Sequence, residues 1–242
     1  MNLADMGMIV LFTVYGGTWI VMGVLLWLGS ERTAKLGIAS DLRLLSLYAI
    51  VHGASDVIDV LLRLPGVQAT PTSPLAAVRL ALLTASFIIL LQFGLAITIE
   101  DERVYKAIIA LGALAIIGLG SGLVALYAGG ATQTSVSAVE ATTRHVVGLP
   151  GALLAAVGFF RLSRKCNRLN MAGCAHDSMG AAVSLAAYGI LAGAVTSGYP
   201  IPTVILGLPV QFYRMLAAIG LAVSCLSLLR RFEVKQTHEQ KT

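Results

Sequence analysis

Seven long apolar stretches divide the sequence, and they constrain its fold more than any other feature. They cover residues 8–29, 41–64, 74–98, 104–128, 139–163, 179–199 and 205–230. A helix needs about 20 mostly apolar residues to cross about 30 Å of hydrocarbon, so each stretch is long enough to span a bilayer. Only 12% of the residues are charged, which excludes an ordinary soluble domain. We predict an all-α integral membrane protein, a bundle of seven transmembrane helices.

The distribution of basic residues predicts how this bundle is oriented. Of the 17 Lys and Arg residues, 13 lie near the loops after odd-numbered helices or in the C-terminal tail. Because Lys and Arg are retained on the cytoplasmic side, we predict an outside N-terminus and a cytoplasmic C-terminus. The excess basic charge is then explained by cytoplasmic loops, and no nucleic-acid partner is expected. Residues 1–231 form one transmembrane domain, and residues 232–242 form a short cytoplasmic tail that is either helical or disordered.

Ionisable residues inside the apolar stretches are the best candidates for a functional site. A charged group in the middle of a membrane helix costs several kcal/mol unless it faces the protein interior or water. The second stretch carries His52, Asp56 and Asp59, which share one face of a helix within about 60° of arc. The outer ends of the fifth and seventh stretches add further polar residues at a similar depth: Glu140, Arg144, His145, Gln211, Tyr213 and Arg214.

These residues support two interpretations. In the first, Arg144 and Arg214 neutralise Asp56 and Asp59 inside the bundle, and Glu140 pairs with Arg144 at i, i+4. In the second, the polar residues line a ligand cavity that opens outward. The ligand-binding candidates are then His52, Asp56, Asp59, Arg144, His145, Gln211 and Arg214.

Two histidines on different helices also permit cofactor binding. His52 and His145 are candidate ligands of a b-type haem or a metal ion, because neutral imidazole binds both. The three cysteines, Cys166, Cys174 and Cys225, are too few for a disulfide framework and have no established zinc spacing. No nucleotide-binding loop, nucleophile elbow or zinc-protease helix occurs in the sequence, so we predict no enzymatic activity.

Two prolines occupy equivalent places in the fifth and seventh stretches. Pro150 and Pro209 both follow a Gly-Leu pair in the outer third of a predicted helix. Proline inside a helix releases a backbone carbonyl and kinks the chain. We predict a hinge at each, with ordinary tolerance of proline in membrane helices as the alternative.

Three motifs resemble those of a known family. They are HGASDVIDV at 52–60, RHVVGLPGALLAAVGF at 144–159, and LGLPVQFYRMLAAIGLAV at 206–223, which continues into LLRRFEVKQ. Together they resemble the N-terminal seven-helix membrane input domain that precedes PAS, histidine kinase and diguanylate cyclase modules in bacterial sensor proteins. In that family a His-Gly pair is followed by an acidic residue, and a Pro-Val-Gln pattern is followed by Arg. The matching residues here are His52, Gly53, Asp56, Pro209, Val210, Gln211 and Arg214.

The resemblance implies a sensor of the bacterial inner membrane that binds a ligand and moves its last helix. No output module precedes Thr242, so we expect either a longer protein or a stand-alone unit that acts on a cytoplasmic signalling protein, with a homodimer as one possible assembly. The alternative is a redox or electron-transfer subunit of a larger membrane complex, with haem or metal on His52 and His145. A small-solute transporter is the third hypothesis.

Overall fold

The computed structural model of the protein describes residues 3–32, 39–64, 67, 70, 73–99, 101–130, 132–194, 204–205 and 207–239. The described chain is almost entirely helical, which confirms the predicted all-α class. Its helices are α1 (Leu3–Arg32), α2 (Ala39–Arg63), α3 (Pro74–Thr98), α4 (Glu102–Ala128), α5 (Gln133–Thr143), α6 (Leu149–Arg168), α7 (Ala172–Gly189) and α8 (Val210–Glu239). A π-helical turn (Arg144–Gly148) joins α5 to α6, and a second π-helical turn (Ile190–Ala194) ends α7. Two short strands, β1 (Val204–Ile205) and β2 (Leu208–Pro209), precede α8.

Polar side chains at the loop edges determine where several helices begin. Ser73 accepts a hydrogen bond from the Ala76 amide. It is followed by Pro74, whose fixed φ suits the first turn of a helix and whose missing N–H would have no partner in that turn. Asp101 caps α4 in the same way. Thr132 forms a reciprocal capping box with Ser135 at the start of α5. These caps satisfy amide groups that would otherwise have no partner at the membrane boundary.

Six helical segments of the described chain are long and apolar enough to cross a membrane. They are Met6–Ser30, Asp41–Arg63, Pro74–Thr98, Lys106–Ala128, Thr134–Arg168 and Val210–Arg231. The fifth segment is continuous through α5, the first π-helical turn and α6. The remaining predicted stretch, 179–199, corresponds to α7, which begins earlier at Ala172 and is described as far as Ala194.

The helices form a closed ring of six with one peripheral helix. Around the ring, α1 packs on α2, α2 on α3, α3 on α6, α6 on α7, α7 on α8, and α8 returns to α1. The peripheral helix α4 packs on α3, where the buried Gln92 amide donates to the carbonyls of Ile108 and Ile109. Large side chains from five ring helices are fully buried in the centre: Trp19, Tyr48, Phe87, Phe93, Phe159 and Tyr188.

Two glycines allow α1 and α2 to approach closely beside the predicted polar face. A Cβ atom on Gly53 would lie 2.7 Å from the Gly16 carbonyl oxygen, and one on Gly16 would lie 3.0 Å from the Cβ of Asp56. Small residues at such a crossing let membrane helices pack backbone to backbone. The structure therefore gives Gly53 a packing role directly after His52.

The start of α8 differs from the sequence prediction. Pro209 lies in β2, which pairs antiparallel with β1 around Gly207, whose φ is +79°. The helix begins only at Val210, so Pro209 removes no hydrogen bond from its interior. The prediction that Pro209 kinks a transmembrane helix is therefore wrong. Pro150, in contrast, lies in the first turn of α6, directly after the π-helical turn, so the helix is irregular where a proline hinge was predicted.

The connection between α6 and α7 is much shorter than the predicted loop 164–178. Only residues 169–171 separate the two helices, because Asn170 takes a left-handed conformation (φ 55°) and the Met171 amide donates to the Cys166 carbonyl. A disulfide joins Cys166 in α6 to Cys174 in α7, with their Cα atoms 5.8 Å apart. The cysteine spacing in the sequence did not predict this pair.

The C-terminal tail continues α8 beyond the apolar segment. The apolar part of the helix ends at Arg231, whereas helical backbone continues to Glu239. Of the two alternatives for residues 232–242, the helical one is confirmed as far as Glu239.

Candidate functional site

His52 is the centre of a buried hydrogen-bond chain that connects three helices. Its Nδ1 lies 3.0 Å from the Ser86 hydroxyl, and its Nε2 lies 2.7 Å from the Tyr188 hydroxyl. Ser86 donates its single hydroxyl hydrogen to the Leu83 carbonyl, so it can only accept from His52. A neutral His52 therefore carries its proton on Nδ1 and accepts from Tyr188 on Nε2. This arrangement ties α2 to α3 and α7.

Aromatic rings enclose this chain on several sides. The ring of Tyr48 stacks on His52 at 5.3 Å, and the rings of Trp19 and Phe87 approach it edge-on at 5.5 and 5.4 Å. Trp19 also meets Tyr188 at 5.1 Å. Because Trp19, Tyr48 and Tyr188 are fully buried, the imidazole is held in one orientation inside a packed aromatic shell.

Asp56 lies one helical turn beyond His52 and is incompletely satisfied. Its side chain is buried, and Oδ2 lies 3.9 Å from His52 Nε2, beyond hydrogen-bond distance. Within the described part of the chain, neither Asp56 Oδ2 nor the indole N–H of Trp19 has a hydrogen-bond partner. A buried acceptor and a buried donor without partners are unusual in a folded protein.

A chain of four ionic residues starts at Asp59 of α2. Arg79 of α3 lies 2.8 Å from Asp59 and 2.7 Å from Glu140. Glu140 also binds Arg144 at 2.8 Å, which confirms the predicted i, i+4 pair. Two carboxylates and two guanidiniums thus alternate across α2, α3, α5 and the first π-helical turn. We call these four residues the ionic chain.

Two arginines hold the second π-helical turn. Arg144 Nη1 donates to the Ala192 carbonyl at 3.5 Å, and Arg214 Nε donates to the Leu191 carbonyl at 2.9 Å. The two π-helical turns pack directly on each other, and Gly193 faces Leu149 and the Arg144 carbonyl. Arg214 therefore connects α8 to the same carbonyl-rich turn that receives the end of the ionic chain.

The predicted counter-ions are only partly correct. Asp59 pairs with Arg79, so its predicted neutralisation by Arg144 or Arg214 is wrong. Arg144 is bound by Glu140, and Arg214 is buried near the start of α8, where it contacts α7. Asp59, Glu140 and Arg144 do belong to one connected chain, but that chain runs through Arg79, which the sequence prediction did not include.

The remaining candidates have simpler surroundings. His145 is half-buried, and its Nδ1 lies 2.7 Å from the Ala141 carbonyl one turn earlier. Gln211 is half-buried in the first turn of α8.

The surroundings of His52 do not suit a haem or metal ligand in this conformation. Both of its ring nitrogens are hydrogen-bonded, so neither lone pair is free for a metal. Across the described ranges, no three His, Cys, Asp or Glu side chains converge as a metal site.

Sequence reasoning missed three residues of the site, and only one had a readable signal. Arg79 is the one basic residue in the stretch 74–98, which marks it as an internal counter-ion. Ser86 and Tyr188 gave no signal, because serine and tyrosine are common in membrane helices. Their roles depend on the packing of α3 and α7 against α2.

The chain matches no protein-family model, no curated protein and no solved structure.

Proposed function

We propose that this chain is the membrane input unit of a signalling system, which binds a small polar ligand in its outer half and responds through α8. One observation carries the proposal: Arg144 at the end of the ionic chain and Arg214 of α8 donate to neighbouring carbonyls of the second π-helical turn, so both are joined through that turn. A ligand that changes this network changes contacts on the helix that leaves the bundle. The resemblance of the three sequence motifs to bacterial sensor input domains supports the same function.

The polar groups around Asp56 suit the binding step. The free carboxylate oxygen of Asp56 can accept a hydrogen bond, and the indole N–H of Trp19 can donate one. A polar ligand group that reaches either atom would satisfy a buried group that has no protein partner, which favours the bound state. The neighbouring ionic chain would distinguish charged from neutral ligands.

The length of α8 suits the response. Its 30 residues correspond to about 45 Å of helix, compared with about 30 Å of hydrocarbon. The helix therefore reaches from Arg214, at one end of the bundle, to well beyond its apolar segment. A rigid helix of this kind can carry a shift at its first turns to a partner on the other side.

The proposal includes seven membrane crossings, with α7 as the sixth, and a cytoplasmic C-terminus in a bacterial inner membrane. The 23 helical residues from Ala172 to Ala194 measure about 34 Å, which is enough to cross the hydrocarbon. With seven crossings, the two ends of the chain lie on opposite sides of the membrane, and the basic residues assign the C-terminal end to the cytoplasm.

A reporter fusion tests the proposed function. The full chain is joined after Thr242 to a diguanylate cyclase domain, and the cyclic dinucleotide is measured in cells. Arg214→Gln removes the contact between α8 and Leu191, and we expect it to change output at least about fivefold, the lower range of allosteric coupling. Arg103→Gln makes the same chemical change on the exposed surface of α4 and is expected to leave output unchanged.

Two results would contradict the proposal. One is equal output from both variants at equal membrane levels of protein. The other is an intense Soret band in the absorbance spectrum of the purified protein, which would support the electron-transfer alternative instead.

A further inference from the structure

The turn between α6 and α7 holds a pair of cysteines outside the polar network. Cys166 lies in the last turn of α6 and Cys174 in the first turn of α7. The tight turn at residues 169–171 places their Cα atoms 5.8 Å apart, within the range that a disulfide requires. The backbone therefore brings the two sulfur atoms together through its own helix-capping bonds.

The charge around this turn conflicts with a permanent disulfide. Arg161, Arg164, Lys165 and Arg168 crowd the end of α6, which is typical of a cytoplasmic loop. Thiols in the cytoplasm are kept reduced, and the disulfides that do form there are mostly transient and functional. A cysteine pair held at bonding distance on this side is suited to repeated opening and closing.

A surface pocket of about 480 Å³ lies beside one of the two cysteines. It is lined by Met171, Ala172, Gly173, Cys174, Ser227, Arg230 and Arg231. Cys174 and Cys166 are only 2% and 4% exposed, so exchange requires this turn to open, and Cys174 is the cysteine that lines the pocket. This volume is in the range of sites that hold small organic ligands.

The charge of the pocket favours an acidic molecule. Arg231 pairs with Asp177 at 2.5 Å, so its charge is balanced. Arg230 is exposed and, among the described side chains, has no ion-pair partner. The first amide groups of α7 add partial positive charge beside Cys174.

We propose that Cys166 and Cys174 form a reversible thiol–disulfide exchange site for a small acidic thiol of the glutathione class. A thiolate in the pocket attacks Cys174 Sγ, which forms a mixed disulfide and releases Cys166 as a thiolate. A second small thiolate attacks the small-molecule sulfur of the mixed disulfide, which releases the oxidised dimer and Cys174. Two electrons pass to the protein, and its two thiolates take up the two protons lost by the small thiols. The reverse reaction uses the oxidised dimer as the oxidant.

The first test uses the purified full chain in uncharged lipid nanodiscs. Samples are equilibrated in buffers with increasing ratios of reduced to oxidised glutathione, and free thiols are counted by mass after alkylation. Alkylation is carried out on denatured protein, because all three cysteines are buried in the fold, so Cys225 is labelled in every sample. We expect two further thiols, those of Cys166 and Cys174, to appear together as the ratio rises. A pair that stays wholly oxidised or wholly reduced across the series would overturn the proposal.

The second test asks whether the pocket determines the reaction. In Cys166→Ser, the remaining Cys174 is expected to form a mixed disulfide with oxidised glutathione at least about tenfold faster than Cys166 does in Cys174→Ser. Cys225→Ser is the control and is expected to react like the wild type. Equal rates for the two single variants would exclude entry through the pocket.

The third test examines charge without altering either cysteine. Arg230→Gln is expected to slow reduction by glutathione about threefold at low salt, because one favourable charge is removed. Reduction by uncharged 2-mercaptoethanol is expected to be unchanged. Equal slowing for both reagents, or for neither, would refute recognition of an acidic thiol. Because these assays measure exchange alone, their failure would leave the proposed signalling function and membrane orientation untouched.

Discussion

The hydrogen-bond chain around His52 depends on the direction of each donor. Ser86 is committed to Leu83, so His52 must donate to Ser86 and accept from Tyr188. With a neutral imidazole, the Ser86 hydrogen goes to the Leu83 carbonyl and the His52 Nδ1 hydrogen goes to Ser86. The imidazole therefore joins three helices in a defined geometry and is more than a space-filling group.

Removing the Tyr188 hydroxyl tests this arrangement. Tyr188→Phe keeps the ring but leaves His52 Nε2 without a donor, and we expect it to lower the free energy of unfolding by about 1 kcal/mol. Tyr127→Phe is a matched control, because the Tyr127 hydroxyl has no hydrogen-bond partner among the described residues. Thermal unfolding in nanodiscs compares the two, and equal losses of stability would contradict the hydrogen bond between Tyr188 and His52.

Glu140 is the central residue of the ionic chain, because it binds both Arg79 and Arg144. Glu140→Gln leaves the Arg144 guanidinium without a carboxylate. We expect the free energy of unfolding to fall by about 3 kcal/mol, which is typical of a broken buried pair. Asp59→Asn leaves Arg79 still paired with Glu140, so its loss is expected to be clearly smaller. Equilibrium unfolding measures both, and a larger effect for Asp59→Asn would show that the chain is not centred on Glu140.

The residue-level predictions from sequence succeeded where the interaction is local. The Glu140–Arg144 pair follows from helical spacing alone, and so does the shared face of His52, Asp56 and Asp59. The partner of Asp59 could not be obtained in this way, because Arg79 lies on another helix. Choosing between Arg79, Arg144 and Arg214 requires the order of helices around the ring, which hydrophobicity does not specify.

At the scale of elements, the α1–α2 crossing has a strict steric requirement. Gly53→Ala would place a methyl group 2.7 Å from the Gly16 carbonyl oxygen, and backbone cannot move aside as a side chain can. We expect a loss of about 1 to 3 kcal/mol in unfolding free energy.

Gly17→Ala is the control for Gly53→Ala, because its Cβ would have no atom within 4 Å. It is expected to be neutral or slightly stabilising through its better helix propensity. If both alanine variants unfold at the wild-type temperature, the close crossing is absent in solution.

Helix boundaries show which sequence signals are reliable. The predicted stretch 74–98 coincides with α3 because Ser73 and Pro74 form a strong start signal. The stretch 205–230 began too early, since hydrophobicity continues through the β1–β2 hairpin and does not reveal that Gly207 turns the chain. The predicted loop 164–178 was too long, because the polar residues in it are helical and the left-handed turn at Asn170 has no apolar signature.

At the scale of the whole molecule, orientation is the property on which the proposed mechanism depends. Green fluorescent protein fused after Thr242 is expected to fluoresce, because it becomes fluorescent when it folds in the cytoplasm. Alkaline phosphatase inserted after Gly130 is expected to be active, because it is active only outside the cytoplasm. Alkaline phosphatase fused after Thr242 is the control and is expected to be inactive. The opposite pattern would reverse the side of every site described above.

The ionic chain has an electrical consequence for the complete bundle. Its two carboxylates and two guanidiniums sum to zero when ionised, so the membrane voltage does no net work when they move together. Moving one unbalanced charge across the membrane would instead be worth about 2.3 kcal/mol per 100 mV. With its charges paired in this way, the ionic chain moves as a unit without carrying net charge through the membrane field, and a loss of Glu140 alone would leave one positive charge on the moving group.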